Sequence, residues 1–283
     1  MSRHAEAEPS AAVWDPAQYG IFGDERGRAF AELLARAASG LAAPGRIADL
    51  GCGSGELTAG LARRWPDAVI DAIDSSAEMI EAARAHAIPG RLRFAVGDAA
   101  GWKPATPPDL IVSNAVLHWI PGHTELLPRW ADALAPGGRL AFQVPGNHAA
   151  PSHTLLRELC ESPRWRDRLG GLFDPRPVLD PAGYLDLLAR HGCAVDAWET
   201  TYAQVLQGED AVLEWVKGTT LRPVLTALDR AEPQGSTETQ GSAETRDFLS
   251  EYGAVLREAY PATPYGTVYP FRRVFVIADR AGP

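Results

Sequence analysis

The chain has 283 residues, 46% hydrophobic and 22% charged, with 27 Lys+Arg against 36 Asp+Glu and a net charge of −9. Such a length buries a full core without disulfides or a structural metal. The acidic balance excludes an overall positive field of the kind that recruits nucleic acid or anionic lipid, so an acidic ligand must be attracted by arginines gathered locally.

Residues 1–12 are polar and Ala-rich with no apolar h-region, and read as a disordered leader rather than a signal peptide. The rest, 13–283, reads as one domain. Phe30, Leu33, Leu34 and Ala37 recur at helical spacing until Pro44-Gly45. Short apolar runs then alternate with amphipathic ones. Ile47–Leu50 reads as a strand, Glu56–Trp65 as a helix stopped by Pro66, and Val69–Ile73 as a second strand. Ser75 and Glu78 form a capping box for a helix to about His86. Leu92–Val96, Leu110–Ser113 and Leu140–Val144 are three further strands, with a helix over His123–Leu134 before the last. This alternation requires parallel pairing with right-handed crossovers, hence an α/β fold with a Rossmann-like doubly wound sheet.

After Pro145 the regularity changes. A helix with Leu155, Leu156 and Leu159 leads into a Trp/Arg-rich segment, and Asp180, Pro181 and Gly192 bracket another helix. Strands are expected over 194–202 and 274–278, with helices around 211–216, 224–231 and 246–259 between them. The core is expected to span about 30–150, 193–203 and 273–280, and a mostly helical cap about 151–192 and 204–270. Within the cap, QGSTET and QGSAET repeat in tandem, marking 232–245 as a flexible loop.

The most informative stretch is Asp49-Leu50-Gly51-Cys52-Gly53-Ser54-Gly55, which follows a strand and opens a helix. Its G-x-G-x-G spacing differs from the dinucleotide G-x-G-x-x-G, and Asp49 before it suits an ammonium group better than a pyrophosphate. Asp74, ending the second strand, stands where a carboxylate accepts hydrogen bonds from ribose hydroxyls. Asp98 follows the third strand, placed to accept from an exocyclic amine such as adenine's. An amino-acid end, a ribose and an adenine without phosphate make up the inventory of S-adenosylmethionine.

Residues 45–145 thereby resemble the class I S-adenosylmethionine-dependent methyltransferases. The resemblance implies a seven-stranded sheet whose last strand is antiparallel. It implies a cofactor site of Asp49, Gly51, Gly53, Gly55, Asp74, Ser75, Asp98, Ala99 and Asn114. Beyond the core, Trp14-Asp15-Pro16-x-x-Tyr19, Leu117-His118-Trp119-Ile120-Pro121, Gln143-x-Pro145-x-Asn147, Leu221-Arg222-Pro223 and Pro270-Phe271-Arg272-Arg273-Val274 resemble the trans-aconitate 2-methyltransferase family. That implies methyl esterification of trans-aconitate or a similar small polycarboxylate, with S-adenosylhomocysteine as the second product.

A carboxylate is ionised at neutral pH and needs no general base. Such an enzyme therefore requires cationic clamps and a dry lid rather than a triad, and no G-x-S-x-G elbow is present. Arginine is the best clamp for a carboxylate. Arg222, Arg272 and Arg273 are the candidates, with Arg26 a weaker one. Adjacent on a strand, Arg272 and Arg273 should point to opposite faces, so only one of them can enter the pocket. Trp14 also falls to the substrate site, and Tyr19, His118 and Trp119 to positioning and to the aromatic wall. His118 is read as a donor to the acceptor carboxylate.

No metal is expected, because the seven histidines lack ligand spacing. The three cysteines, without C-x-x-C spacing, fit a reducing, cytoplasmic setting. No nucleic-acid or membrane partner is expected, and the sequence carries no signal for oligomeric state. Two other readings stay open: methylation of another small hydroxyl, amine or acid, and a non-catalytic S-adenosylmethionine-binding sensor or partner subunit.

Overall fold

The computed structural model describes residues 23–173, 178–229 and 243–282. The leader, Trp14, Tyr19, the Arg26 side chain and most of the 232–245 repeat lie outside the described residues. A helix α1 (Gly23–Ala37) precedes β1 (Arg46–Leu50), α2 (Glu56–Arg64), β2 (Val69–Asp74), α3 (Ala77–Ala83), β3 (Leu92–Val96) and β4 (Leu110–Asn114). Then come α4 (His123–Ala133), β5 (Arg139–Pro145), α5 (Pro151–Cys160), α6 (Arg166–Leu169), α7 (Pro181–Arg190) and β6 (Cys193–Leu206). The chain closes with α8 (Ala211–Lys217), α9 (Arg222–Asp229), α10 (Ala243–Ala259), β7 (Ala262–Thr263) and β8 (Gly266–Arg280).

The sheet order is β3-β2-β1-β4-β5-β8-β6. The first five strands pair in parallel, and β8 runs antiparallel between β5 and β6. The expected seven strands are present, and the two-residue β7 adds a short hairpin with β8. Strand order reverses between β1 and β4, so the carboxyl ends of those strands border the crevice where such sheets bind ligands.

Apolar side chains on the two faces build two layers. Phe30 and Leu33 of α1 and Leu61 of α2 pack with Ile47, Val112, Ala141 and Phe275. On the other face Trp130 of α4 and Tyr184 and Leu188 of α7 pack with Ile111, Phe142 and Val274. His123 Nε2 meets Tyr184 Oη at 2.9 Å, tying α4 to α7. Helix α7, expected in the cap, therefore belongs to the sheet's own layer. The cap has a separate core, in which Leu156, Trp165, Trp215, Phe248 and Tyr252 surround Tyr269 and Phe271 of β8. This is why β6 and β8 run longer than expected: their outer halves serve the cap. Among the described residues no helix is long and apolar enough to cross a membrane.

Helix α3 is capped one residue later than expected. Ser76, not Ser75, accepts the Met79 amide at 3.2 Å and donates to Glu78 at 2.8 Å. The Asp74 carboxylate takes the Ser76 amide at 2.9 Å, which turns Ser75 outward.

Glu32 fastens α1 to β6. Its carboxylate accepts from Trp198 Nε1 at 3.0 Å, Thr200 Oγ1 at 2.7 Å and Tyr202 Oη at 2.6 Å. Burial pushes its pKa up, but these donors and Arg28 outweigh that and hold it below the usual carboxylate value. The contribution is thus present above the ordinary Glu pKa and is lost on acidification through the lowered one. Glu32→Ala orphans the buried Tyr202 hydroxyl and the half-buried Trp198 and Thr200 donors and is expected to cost about 2 kcal/mol, read as a lower denaturant midpoint at neutral pH.

Candidate active site

The glycine loop lies at the crevice. Gly51 and Cys52 donate their amides to Ile73 O at 2.8 and 3.0 Å, folding the loop over the end of β2. Gly51 has φ 86°, and a Cβ there would lie 2.1 Å from Val116 Cγ2. Gly53, at φ 54°, faces open space, since a Cβ there would meet nothing within 4 Å. The Asp74 carboxylate takes the Gly53 amide at 2.9 Å through one oxygen and the Ser76 amide through the other. Each oxygen keeps acceptor capacity for a further donor. Asp98 is exposed after β3 and closes its turn by accepting the Ala100 amide at 2.9 Å, with Ala99 buried beside it.

Asn114 ends β4, and Ala115 after it takes a left-handed conformation, φ 58°. That conformation is uncommon outside glycine. It carries the chain off the sheet into the short 3₁₀ turn Leu117–Trp119, which bears His118. Trp119 is exposed at the rim, its ring centroid 4.8 Å from that of His118.

Of the two adjacent arginines, Arg273 turns inward and is 4% exposed. It donates from Nη1 to Gln143 Oε1 at 3.2 Å, and its guanidinium lies 4.2 Å from the Phe271 ring centroid. Gln143, buried mid-strand, donates from Nε2 to Asn114 Oδ1. A continuous line Asn114–Gln143–Arg273 thus crosses three neighbouring strands. Arg272 points to the other side, where Nε donates to Glu199 Oε2 at 2.9 Å and Nη1 to Gly146 O at 3.2 Å. The structure gives Arg272 a surface ion pair, not a place beside Arg273.

Burial, then the neighbouring Arg273, His148, His123 and His153, hold the His118 pKa well below its ordinary value, so the ring is neutral. Its Nδ1 is shielded from solvent and unpartnered, as are Asn147 Nδ2 and His148 Nε2. Arg222 is half-buried at the start of α9, two residues past Thr220, whose Oγ1 meets His153 Nε2 at 3.1 Å.

Residues 22–197 match the family described as "Methyltransferase domain". The chain is 55% identical over 272 residues to a trans-aconitate 2-methyltransferase of Streptomyces avermitilis, covering 94% of this chain and 97% of that protein. It is 54% identical to the one from Streptomyces coelicolor, covering 96% and 88%. The chain belongs to the trans-aconitate 2-methyltransferase family. In fold it is similar to an S-adenosylmethionine-dependent methyltransferase of Thiobacillus denitrificans solved with S-adenosyl-L-homocysteine, at TM-score 0.53 and 22% identity, covering 96% and 95% of the two chains.

For a member of the trans-aconitate 2-methyltransferase family, the residues present fit S-adenosylmethionine. Gly53 leaves a bare backbone cradle, Asp74 would offer acceptors to a ribose, and Asp49 would offer a buried anion to a cationic amino-acid end. Asp49 is 3% exposed and accepts from Thr58 Oγ1 at 2.7 Å. Burial first, and then Asp74, raise its pKa to about 6 against the opposing Thr58 bond. Because the folded chain holds that proton more tightly, this group's contribution to unliganded stability declines as pH rises from about 4 to about 6. A cation beside Asp49 favours ionisation, so binding releases the proton. S-adenosylmethionine affinity is therefore expected to fall roughly tenfold between pH 7 and pH 5, and Asp49→Asn to abolish that dependence, both read by titration calorimetry.

In the sequence Gln143 and Asn147 stand out only within a family pattern, and His148 and His153 belong to no motif. The signal for Gln143 was available: it is the one polar residue in the apolar run Leu140–Val144. For the histidines the signal was position alone, just past the carboxyl end of β5.

Proposed function

We propose that this chain transfers the methyl group of S-adenosylmethionine to a carboxylate of trans-aconitate, giving a monomethyl ester and S-adenosylhomocysteine. The observation that carries this reading is the buried Arg273, joined through Gln143 to Asn114 at the edge of the cofactor cradle. S-adenosylmethionine supplies a methyl already activated on a sulfonium, which departs as a neutral thioether when a carboxylate oxygen takes the methyl.

The chain's residues supply placement. Arg273 binds the anionic acceptor, and its fork sets the carboxylate plane. Gln143 holds that fork at a fixed distance from Asn114, so acceptor and donor seats are built on adjacent strands rather than on separate loops. His118, neutral and buried, serves as a donor to the carboxylate. Phe271 and the cap aromatics behind it keep the arginine out of bulk water, which strengthens its hold and strips solvent from the reacting oxygen. No proton is transferred, so no side chain needs a pKa near 7. A cytosolic setting is supported by the three cysteines, all buried and unbridged.

The test is incubation with methyl-labelled S-adenosylmethionine and trans-aconitate. Label that is released by mild base, together with a product heavier by one methylene, is the expected result. Base-stable label would point to an amine or ether, and no transfer would leave only cofactor binding.

A further inference from the structure

Resting on that reading, the geometry points to Asn147 and His148 as the seat of a second carboxylate of the acceptor, a specificity site that makes the pocket select polycarboxylates over monoacids. Both residues follow β5 directly, at the carboxyl edge of the sheet. Asn147 is 4% exposed, and its Oδ1 accepts the Arg272 backbone amide at 2.8 Å. That bond fixes which way the amide faces, so the orphaned atom is the Nδ2 donor.

His148 is held through its main chain, whose carbonyl accepts from Arg157 Nη2 at 2.9 Å. Its ring stands edge-on to His153 at a centroid separation of 5.9 Å. His153 is engaged at both nitrogens, by Ser152 Oγ and Thr220 Oγ1, each at 3.1 Å. His153 is therefore a wall, while His148 Nε2 is buried with no partner. Two residues adjacent in sequence thus each carry an unsatisfied polar atom shielded from solvent, which destabilises the fold unless a ligand uses it.

The surroundings specify the ligand's charge. The groups whose fields act on His118 are Arg273, His148, His123 and His153, and those acting on His148 are led by burial and Arg157. Among the described residues that act on these two rings none is acidic, in a chain of net charge −9. A guest with one carboxylate on Arg273 could set another against the donors Asn147 Nδ2 and His148 Nε2. Trans-aconitate has three carboxylates, whereas crotonate has a comparable trans-alkene and one.

The experiment compares kcat/KM for trans-aconitate and crotonate in the full chain and three variants. His148→Leu removes the donor. Asn147→Asp keeps the acceptor for the Arg272 amide but turns an anion toward the guest. His148→Gln restores a donor near the position of Nε2. The trans-aconitate/crotonate ratio is expected to fall at least about tenfold in His148→Leu and about a hundredfold in Asn147→Asp, and to recover most of the way in His148→Gln. A thermal shift with S-adenosylhomocysteine equal to that of the wild type verifies folding of each variant. A ratio unchanged in His148→Leu, or one that His148→Gln fails to restore, overturns the assignment. If the wild type itself transfers no methyl to trans-aconitate, the proposed function fails instead.

Discussion

Arg273→Met is expected to lower kcat/KM for trans-aconitate about a thousandfold while leaving the affinity for S-adenosylmethionine nearly unchanged. The size follows from what Arg273 offers: a charge-assisted fork in a site 4% exposed, where a carboxylate cannot fall back on water. A thousandfold is about 4 kcal/mol, the range for losing a buried partner to a charged group. Met approximates the length of the side chain and keeps its packing on Phe271, so the loss reports the cation rather than a cavity. Gln143 Oε1 is left without its 3.2 Å donor, and the double variant Arg273→Met/Gln143→Leu separates that penalty from the lost contact. Arg273→Lys keeps a charge but not the fork and should recover only part of the activity. Steady-state kinetics with calorimetry for the cofactor read all three. If trans-aconitate turnover survives in Arg273→Met, the clamp is elsewhere, and Arg222 is the first place to look.

Gly51→Ala is expected to weaken S-adenosylmethionine binding at least about a hundredfold and to lower the melting temperature. Two costs combine. At φ 86° an L side chain is strained by about 1–2 kcal/mol, and the new methyl would sit 2.1 Å from Val116 Cγ2 and 2.9 Å from Cγ1. Val116 caps the 3₁₀ turn that bears His118, so relieving the clash moves the acceptor wall as well as the cofactor loop. Adding Val116→Ala removes the overlap but not the backbone strain, and should return part of the stability. Wild-type affinity in Gly51→Ala would mean that the cofactor does not approach this backbone.

The first half of the fold was legible because each short apolar run there is bounded by a breaker and followed by a helical period. Asp74 and the three loop glycines sit where that alternation puts the crevice, so their positions could be read from spacing alone. The cap was legible as helices but not as a partner of the sheet. The alternation that defines β6 and β8 continues past the sheet's own core because Tyr269 and Phe271 pack among cap helices. Arg272 and Arg273 show a second limit. Period-two alternation says that they face opposite ways, but which one faces in depends on β8 pairing Pro145 with Arg273 and Gln143 with Phe275, a long-range register. Ser75 lost its capping role to Ser76 for a local reason: Asp74, two residues earlier, claims the Ser76 amide. His148 carries no local pattern and Asn147 only the family's, and it is the shielded, unpartnered Asn147 Nδ2 and His148 Nε2 that distinguish them.

The central claim is that an acceptor already ionised is methylated by placement alone. It is tested most directly by the pH dependence of the single-turnover rate, with trans-aconitate and S-adenosylmethionine both saturating. Saturation removes the Asp49 effect on cofactor binding, and Arg273 stays charged throughout. A rate that is flat between pH 7 and pH 9 is the expected result, in His118→Gln as in the wild type. A rate that rises with pH through a single ionisation, and loses that rise in His118→Gln, would show a base at work and contradict the account.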